Sequence, residues 1–376
     1  MHPCLQTKNA KTNISHFYSN CYMKNVQFQN ALTIQVSAHI ISLNFIFQTI
    51  DTERVYSMSN FLYSLESVGP LFILVLTGYL LRKYKIINES FISAGSKIVF
   101  KISLPIQLFR QIKAADLTTI FNPSLIFFAM LSTVVIIALL IVIARAFIPS
   151  KSSQGAFIQG IYRGNFSILG VPLAISMFGE TGAASTSLLL PFTVPLYNIS
   201  AVIILTMFRD RAENEKAQKI SAVKMLKDIV TNPLIIGIVL GLPFSFFHWS
   251  LPAVIETSLS QFASLTTPLA LICLGGQFTI QAARKYFKLT FWAVLLKMVL
   301  IPVAVVGLAV VMGFRNEELG ALFIQFMAPS AVSSYIMAKN MHSDDELAGQ
   351  ILIFTTLISS VTLFIGIFLL KSFHLI

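Results

Sequence analysis

Two stretches of this sequence set polar side chains beside helix-breaking residues inside otherwise apolar runs. The first reads Gly155-Ala-Phe-Ile-Gln159, then Arg163-Gly164-Asn165, then Gly170-Val171-Pro172. The second reads Gly320-Ala-Leu-Phe-Ile-Gln325, then Met327-Ala328-Pro329-Ser330, with Ser333 and Ser334 behind it. Glycine loosens a helical backbone and proline removes a hydrogen bond from its ladder, so neither stretch favours a continuous helix. Broken ends at membrane depth leave N–H and C=O groups that must find partners, and a cavity holding substrate, ions or water can supply them. Asn165, Gly170, Pro172, Pro329, Ser330, Ser333 and Ser334 are therefore candidate substrate-binding residues. The competing reading is that these prolines and glycines only shape packing, as they often do in membrane helices.

Five further residues carry chemistry of interest. Asn198 follows Pro195 in an apolar run and offers two donors and an acceptor, open to a neighbouring helix or to substrate. Arg163 directly precedes the first break and could pair with a carboxylate, a carbonyl or a cytoplasmic acid. Lys297 lies inside an apolar span, as do Lys97 and Lys101; each can snorkel to the interface or attract anions. Catalytic constellations are missing. The sequence holds no His-Glu-x-x-His, no Gly-x-Ser-x-Gly turn and no Walker-type phosphate loop, so neither an enzyme nor an ATP-driven pump is expected. Cys4, Cys21 and Cys273 have no paired spacing, so no disulfide, metal site or cofactor is expected either. Glu66, Glu256 and Asp116 lie towards span ends, leaving no mid-span carboxylate pair for a proton or sodium relay.

The elements that must position these residues are membrane helices. The 376 residues are 55% hydrophobic and only 11% charged, with a mean hydropathy of +0.76, which excludes a water-soluble domain around one core. The net charge of +11 sits in short loops, with no basic domain to hold nucleic acid. Ten apolar spans are expected, at about 60–81, 91–112, 123–147, 155–178, 182–208, 229–247, 253–280, 287–313, 318–341 and 346–370. Pro70, Gly78 and Pro105 recur as Pro233, Gly241 and Pro268 at a constant offset of 163. Five spans per copy is an odd number, so the second copy enters the bilayer from the opposite face, the pattern of inverted-repeat transporters. The predicted layout is an all-α polytopic protein: a first five-helix repeat over 58–208, a linker over 209–228 and a second repeat over 229–376. Residues 1–57 form an N-terminal extension, read either as a marginal helix or as sequence upstream of a functional start at Met58. Loops after odd-numbered spans hold fifteen Lys and Arg against five on the other side, which places the linker in the cytoplasm and both core termini outside.

Several runs taken together resemble the auxin efflux carrier family of the bile acid/auxin carrier-like superfamily. They are Asn165-Phe-Ser-Ile-Leu-Gly170-Val-Pro172, Thr267-Pro268-Leu-Ala-Leu-Ile-Cys-Leu-Gly275, the Lys297…Pro302 pair, and Pro329-Ser330…Ala338-Lys339, with Gly69-Pro-Leu-Phe-Ile and Asn232-Pro-Leu-Ile-Ile-Gly237 opening the two halves. The resemblance implies ten helices in two inverted five-helix repeats, with helices 4 and 9 broken and crossing. It further implies a homodimer built on spans 1, 2, 6 and 7, and alternating-access transport of an organic anion, with Asn165, Pro172 and Pro329 bordering the site. Half-helix N-termini there would put positive dipole ends near a carboxylate. Ser334 stands where plant members commonly have a second proline, Ile120 where a lysine is expected, and the linker is short. These departures point to a compact microbial-type permease for malate or a similar carboxylate, with a coupling proton or sodium ion. An anion channel or a membrane receptor is the alternative.

Overall fold

The computed structural model describes residues 69–114, 122–208, 226–227 and 229–376. The 1–57 extension, residues 60–68 of the first expected span, Asp116, Ile120 and most of the 209–228 linker lie outside these. Among the described residues every regular element is a helix. The first, α1, covers 69–83. Helix α2 runs through Glu89–Ile98, a π-helical stretch at Val99–Ser103 and Leu104–Lys113, and α3 is Pro123–Phe147. Helix α4 comes in two parts, Lys151–Tyr162 and Phe166–Gly182, followed by α5, Ala184–Met207. Beyond the linker lie α6 (Pro233–Phe246) and α7 (Ala253–Ser264 and Thr266–Gln277). Helix α8 joins Phe287–Leu295 to Ile301–Val311 through a π-helical Leu296–Leu300. Helix α9 is again in two parts, Asn316–Met327 and Val332–Asn340, and α10 is Asp345–Ser372.

Five helices are long and apolar enough to cross a bilayer: Pro123–Phe147, Ala184–Met207, Ala253–Gln277, Phe287–Val311 and Asp345–Ser372. They fall on the spans expected at 123–147, 182–208, 253–280, 287–313 and 346–370. The expected spans at 155–178 and 318–341 are each split by a break, and 229–247 yields a helix of only 14 residues. At 1.5 Å per residue that helix is about 21 Å long, short of a hydrocarbon core of about 30 Å. Phe127, Val142, Val303 and Phe368 are more than half exposed on the long helices. Water would leave these side chains uncovered, whereas acyl chains cover them, and the molecule is a multi-pass membrane protein.

Prolines explain the helical irregularities. A proline removes the bond to the carbonyl four residues earlier, and the three irregular turns at Val99–Ser103, Leu265 and Leu296–Leu300 each lie just before a proline: Pro105, Pro268 and Pro302.

Side chains pack into two buried clusters. One joins α3, α4, part of α5, α8, the first half of α9 and α10. The other joins α2, α6, the second half of α7 and the second half of α9, with one face of α5. Close helix crossings use the repeated glycines. A Cβ on Gly78 of α1 would lie 2.1 Å from Ile272 O of α7, and one on Gly241 of α6 would lie 2.9 Å from Phe109 O of α2. Ile272 and Phe109 are themselves 163 residues apart.

Candidate functional site at the crossing breaks

The first half of α4 starts at Ser150, whose Oγ accepts from Ser153 N, and ends where Arg163 turns extended (φ −87°, ψ 101°). The chain becomes helical again at Phe166. In α9 the helix ends at Ala328 (φ −55°, ψ 134°), and Ala331 (φ −74°, ψ 139°) leads into the second half. The two extended segments lie antiparallel. Asn165 N–H donates to Pro329 O at 2.7 Å and Ala331 N–H to Arg163 O at 3.1 Å, bracketing the pair Gly164 and Ser330. Backbone groups freed by each break are thus satisfied by the other. A Cβ on Gly164 would sit 3.1 Å from Gln325 O and 3.2 Å from Ala328 Cβ, so the approach here is tight. Pro329 fits because the pairing uses only its carbonyl.

A cavity of about 40 Å³ lies beside this pairing, room for a few waters or one small polar group. Arg163, Asn165, Asn198 and Ser333 are in its wall, so four of the ten candidate residues come together. The first turns of both second halves, Phe166–Ser167 and Val332–Ser333, also face it. Arg163 is 3% exposed; its guanidinium donates to Asn198 Oδ1 at 2.6 Å and to Met337 Sδ, a weak acceptor. Asn198 in turn donates to Val194 O at 2.8 Å. No carboxylate pairs with Arg163 among the described residues.

The other candidates sit elsewhere. Ser330 N–H donates to Thr355 Oγ1 of α10 at 3.2 Å, and Ser334 O accepts from Gln159 Nε2 at 2.7 Å; neither serine lines the cavity. Gly170 is buried, and a Cβ there would touch the Phe166 ring at 3.0 Å, which makes it a packing position. Pro172 lies inside the resumed helix and is exposed; the break comes earlier, at Arg163–Asn165, because the pairing with α9 holds the chain extended there. Lys297 is buried in the π-helical turn of α8, outside the cavity wall. Gln107 and Gln111 of α2 and Thr266 of α7, which the motifs did not single out, complete the polar lining with Thr267, the first residue of one quoted run. Two glutamines four apart in an apolar span were the available signal.

Away from the cavity, Gln277 ties α7 to α9 and α10. Its Oε1 accepts from Tyr335 OH at 2.8 Å and from Lys339 Nζ, and its Nε2 donates to Asp345 Oδ2 at 2.6 Å.

Comparison with known proteins follows the same outline. An uncharacterized transporter of Methanocaldococcus jannaschii is 24% identical over 308 residues, spanning 78% of this chain and 95% of the relative. A protein of Rhizobium meliloti that carries the name of a malonate transporter is 21% identical over 313 residues, 81% of this chain and 95% of its own. Auxin efflux carrier component 5 of Arabidopsis thaliana is 22% identical over 338 residues, 78% of this chain and 93% of its own. The described family model, Membrane transport protein, matches residues 63–367, nearly the whole helical core, and the chain belongs to that family of transporters.

Proposed function

We propose that the protein is a secondary carrier for a small organic anion, a carboxylate such as malate or malonate, working by alternating access. The observation that carries this reading is the cavity where two half-helix N-termini meet the buried Arg163 guanidinium with no carboxylate among the described residues to balance it. Free N–H groups in a first helical turn carry partial positive charge. A buried cation calls for a counter-charge, and a carboxylate serves both. Asn165, Asn198 and Ser333 then offer donors to its remaining lone pairs. The Rhizobium relative's name points to the same substrate class.

In this reading helices α1–α5 and α6–α10 are two inverted repeats, over 58–208 and 229–376, whose broken helices α4 and α9 cross at the substrate. The Gly78–Ile272 and Gly241–Phe109 contacts, each the image of the other at the 163-residue offset, support the internal symmetry. The cavity lies at the seam of the two buried clusters, with Leu104 and Leu108 from one and Phe166 and Tyr197 from the other, which supports a rigid-body shift of one cluster past the other. Lys297, buried in α8 outside the cavity wall, is a further candidate for attracting the anion. The 209–228 linker is cytoplasmic, the core termini lie outside, α1, α2, α6 and α7 support a homodimer in the cell membrane, and a proton or sodium ion couples transport.

Uptake of labelled malate and malonate into proteoliposomes tests this. Asn165→Ala should lower kcat/KM about 10- to 100-fold, the worth of one charge-assisted hydrogen bond of about 1.5–3 kcal/mol. Unchanged uptake of every accepted anion in that variant would sink the proposed site.

A further inference from the structure

The polar path does not stop at the crossover. Gln107 and Gln111, one turn apart on α2, line the inner cavity and also a second one of about 460 Å³. Arg110 and Lys113 of α2 and Glu256, Ser260 and Ser264 of α7 wall this larger space. Its volume is within the range of about 300–1,000 Å³ common to ligand pockets. On α7, Glu256, Ser260 and Ser264 recur every four residues and so share one helix face, which continues inward to Thr267 in the inner cavity. Facing it, α2 descends from Lys113 and Arg110 through Gln111 to Gln107. The two stripes run from the larger cavity to the inner one, which Arg163 also lines, and the two cavities share Gln107 and Gln111.

At the wide end both cations converge on one carboxylate. Glu256 Oε1 accepts from Arg110 Nε at 3.3 Å, and Oε2 accepts from Lys113 Nζ. Two positive charges on one negative leave this wall with a net positive charge, which raises the local concentration of anions. The Arg110, Lys113 and Glu256 side chains are 32%, 17% and 36% exposed, so the pair remains hydrated and exchangeable.

We propose that this vestibule is a second carboxylate-binding site on the entry path, and that Glu256 occupies it as a built-in competitor. An incoming carboxylate replaces the Glu256 carboxylate on Arg110 and Lys113, then moves along Gln111 and Gln107 to the crossover. The proposal rests on the anion-carrier reading above, and its test separates the two.

The full-length protein is purified in detergent and followed by its malonate-dependent thermal shift, and in proteoliposomes by uptake of labelled malonate. Glu256→Gln frees the two cations and lowers the half-saturating malonate concentration about three- to tenfold at low salt, an effect that fades as ionic strength screens it. Arg110→Gln with Lys113→Gln raises it by a similar factor. In an Asn165→Ala background, which disables the inner site, the thermal shift persists with Glu256→Gln and disappears with the double cation variant. A Glu256→Gln protein with unchanged or weaker half-saturation overturns the proposal, as does a shift in the Asn165→Ala background that ignores Arg110 and Lys113. Wild-type uptake with no effect of the vestibule variants removes the vestibule and keeps the carrier. A malonate shift that tracks Arg110 and Lys113 without uptake of any carboxylate keeps the vestibule and removes the carrier.

Discussion

Arg163 is held by one side-chain oxygen and one sulfur, and this makes Asn198 the residue on which its position depends. Asn198→Ala leaves a buried guanidinium short of its strong acceptor. It should lower thermal stability in detergent by about 1–3 kcal/mol, with a matching loss of uptake. Arg163→Lys keeps the charge but loses the planar fork, so uptake should fall although expression is normal. Gly164→Ala tests the crossing itself, because its Cβ would press on Gln325 O and Ala328. A melting temperature unchanged from wild type would contradict the close approach described there. At this scale the sequence was partly legible. Arg163, Asn165, Asn198 and Ser333 stood out as polar residues among apolar ones, and the cavity unites them. Gln107, Gln111 and Thr266 did not, because they come from helices distant in sequence whose approach is fixed only by tertiary packing. Pro172 misled in the other direction: proline marks a weakness in a helix, yet the backbone opened where a second extended segment could satisfy it.

Among the helices, the pattern of prolines and glycines was more informative than the polar residues. The repeated glycines entered the sequence reading as marks of a duplication, and in the structure Gly78 and Gly241 occupy close helix crossings. Gly78→Ala should force α1 away from α7 and cost about 1–3 kcal/mol, as overpacking does. Gly307 of α8 has no atom within 4 Å of its would-be Cβ, so Gly307→Ala should be neutral or stabilise by about 0.5–1 kcal/mol. Parallel thermal melts of the two variants decide whether contact or helix propensity governs each site. Five span boundaries were legible to within a few residues because long apolar runs leave little choice. The short α6 was less so; the breaks in α4 and α9 were expected from their glycines and prolines, but hydropathy measures composition and says nothing of the residue at which a ladder opens. The Gln277 cluster gives this scale a dynamic prediction. Gln277→Ala removes the acceptor shared by Tyr335 and Lys339, and amide exchange across Val332–Asn340 should speed up relative to α3.

For the molecule as a whole, orientation is the property most open to a direct check. In a background lacking Cys4, Cys21 and Cys273, a cysteine at Lys85 should react only with a reagent supplied from the cytoplasmic side, and one at Ala114 only from outside. Labelling of both from the same side would reverse or dissolve the charge-based topology. The class of molecule was legible at once from composition, whereas the division into two buried clusters was not, because α5 and α9 contribute to both. The crossing of α4 and α9 is fastened by two backbone hydrogen bonds, Asn165 to Pro329 and Ala331 to Arg163. Amide and carbonyl groups are common to all such residues, so the joint carries no chemical vocabulary of its own. Side chains around it, Gly164 apart, are therefore free to be rewritten, one at a time, without unfastening the crossing, and a lineage can change its cargo while keeping the joint.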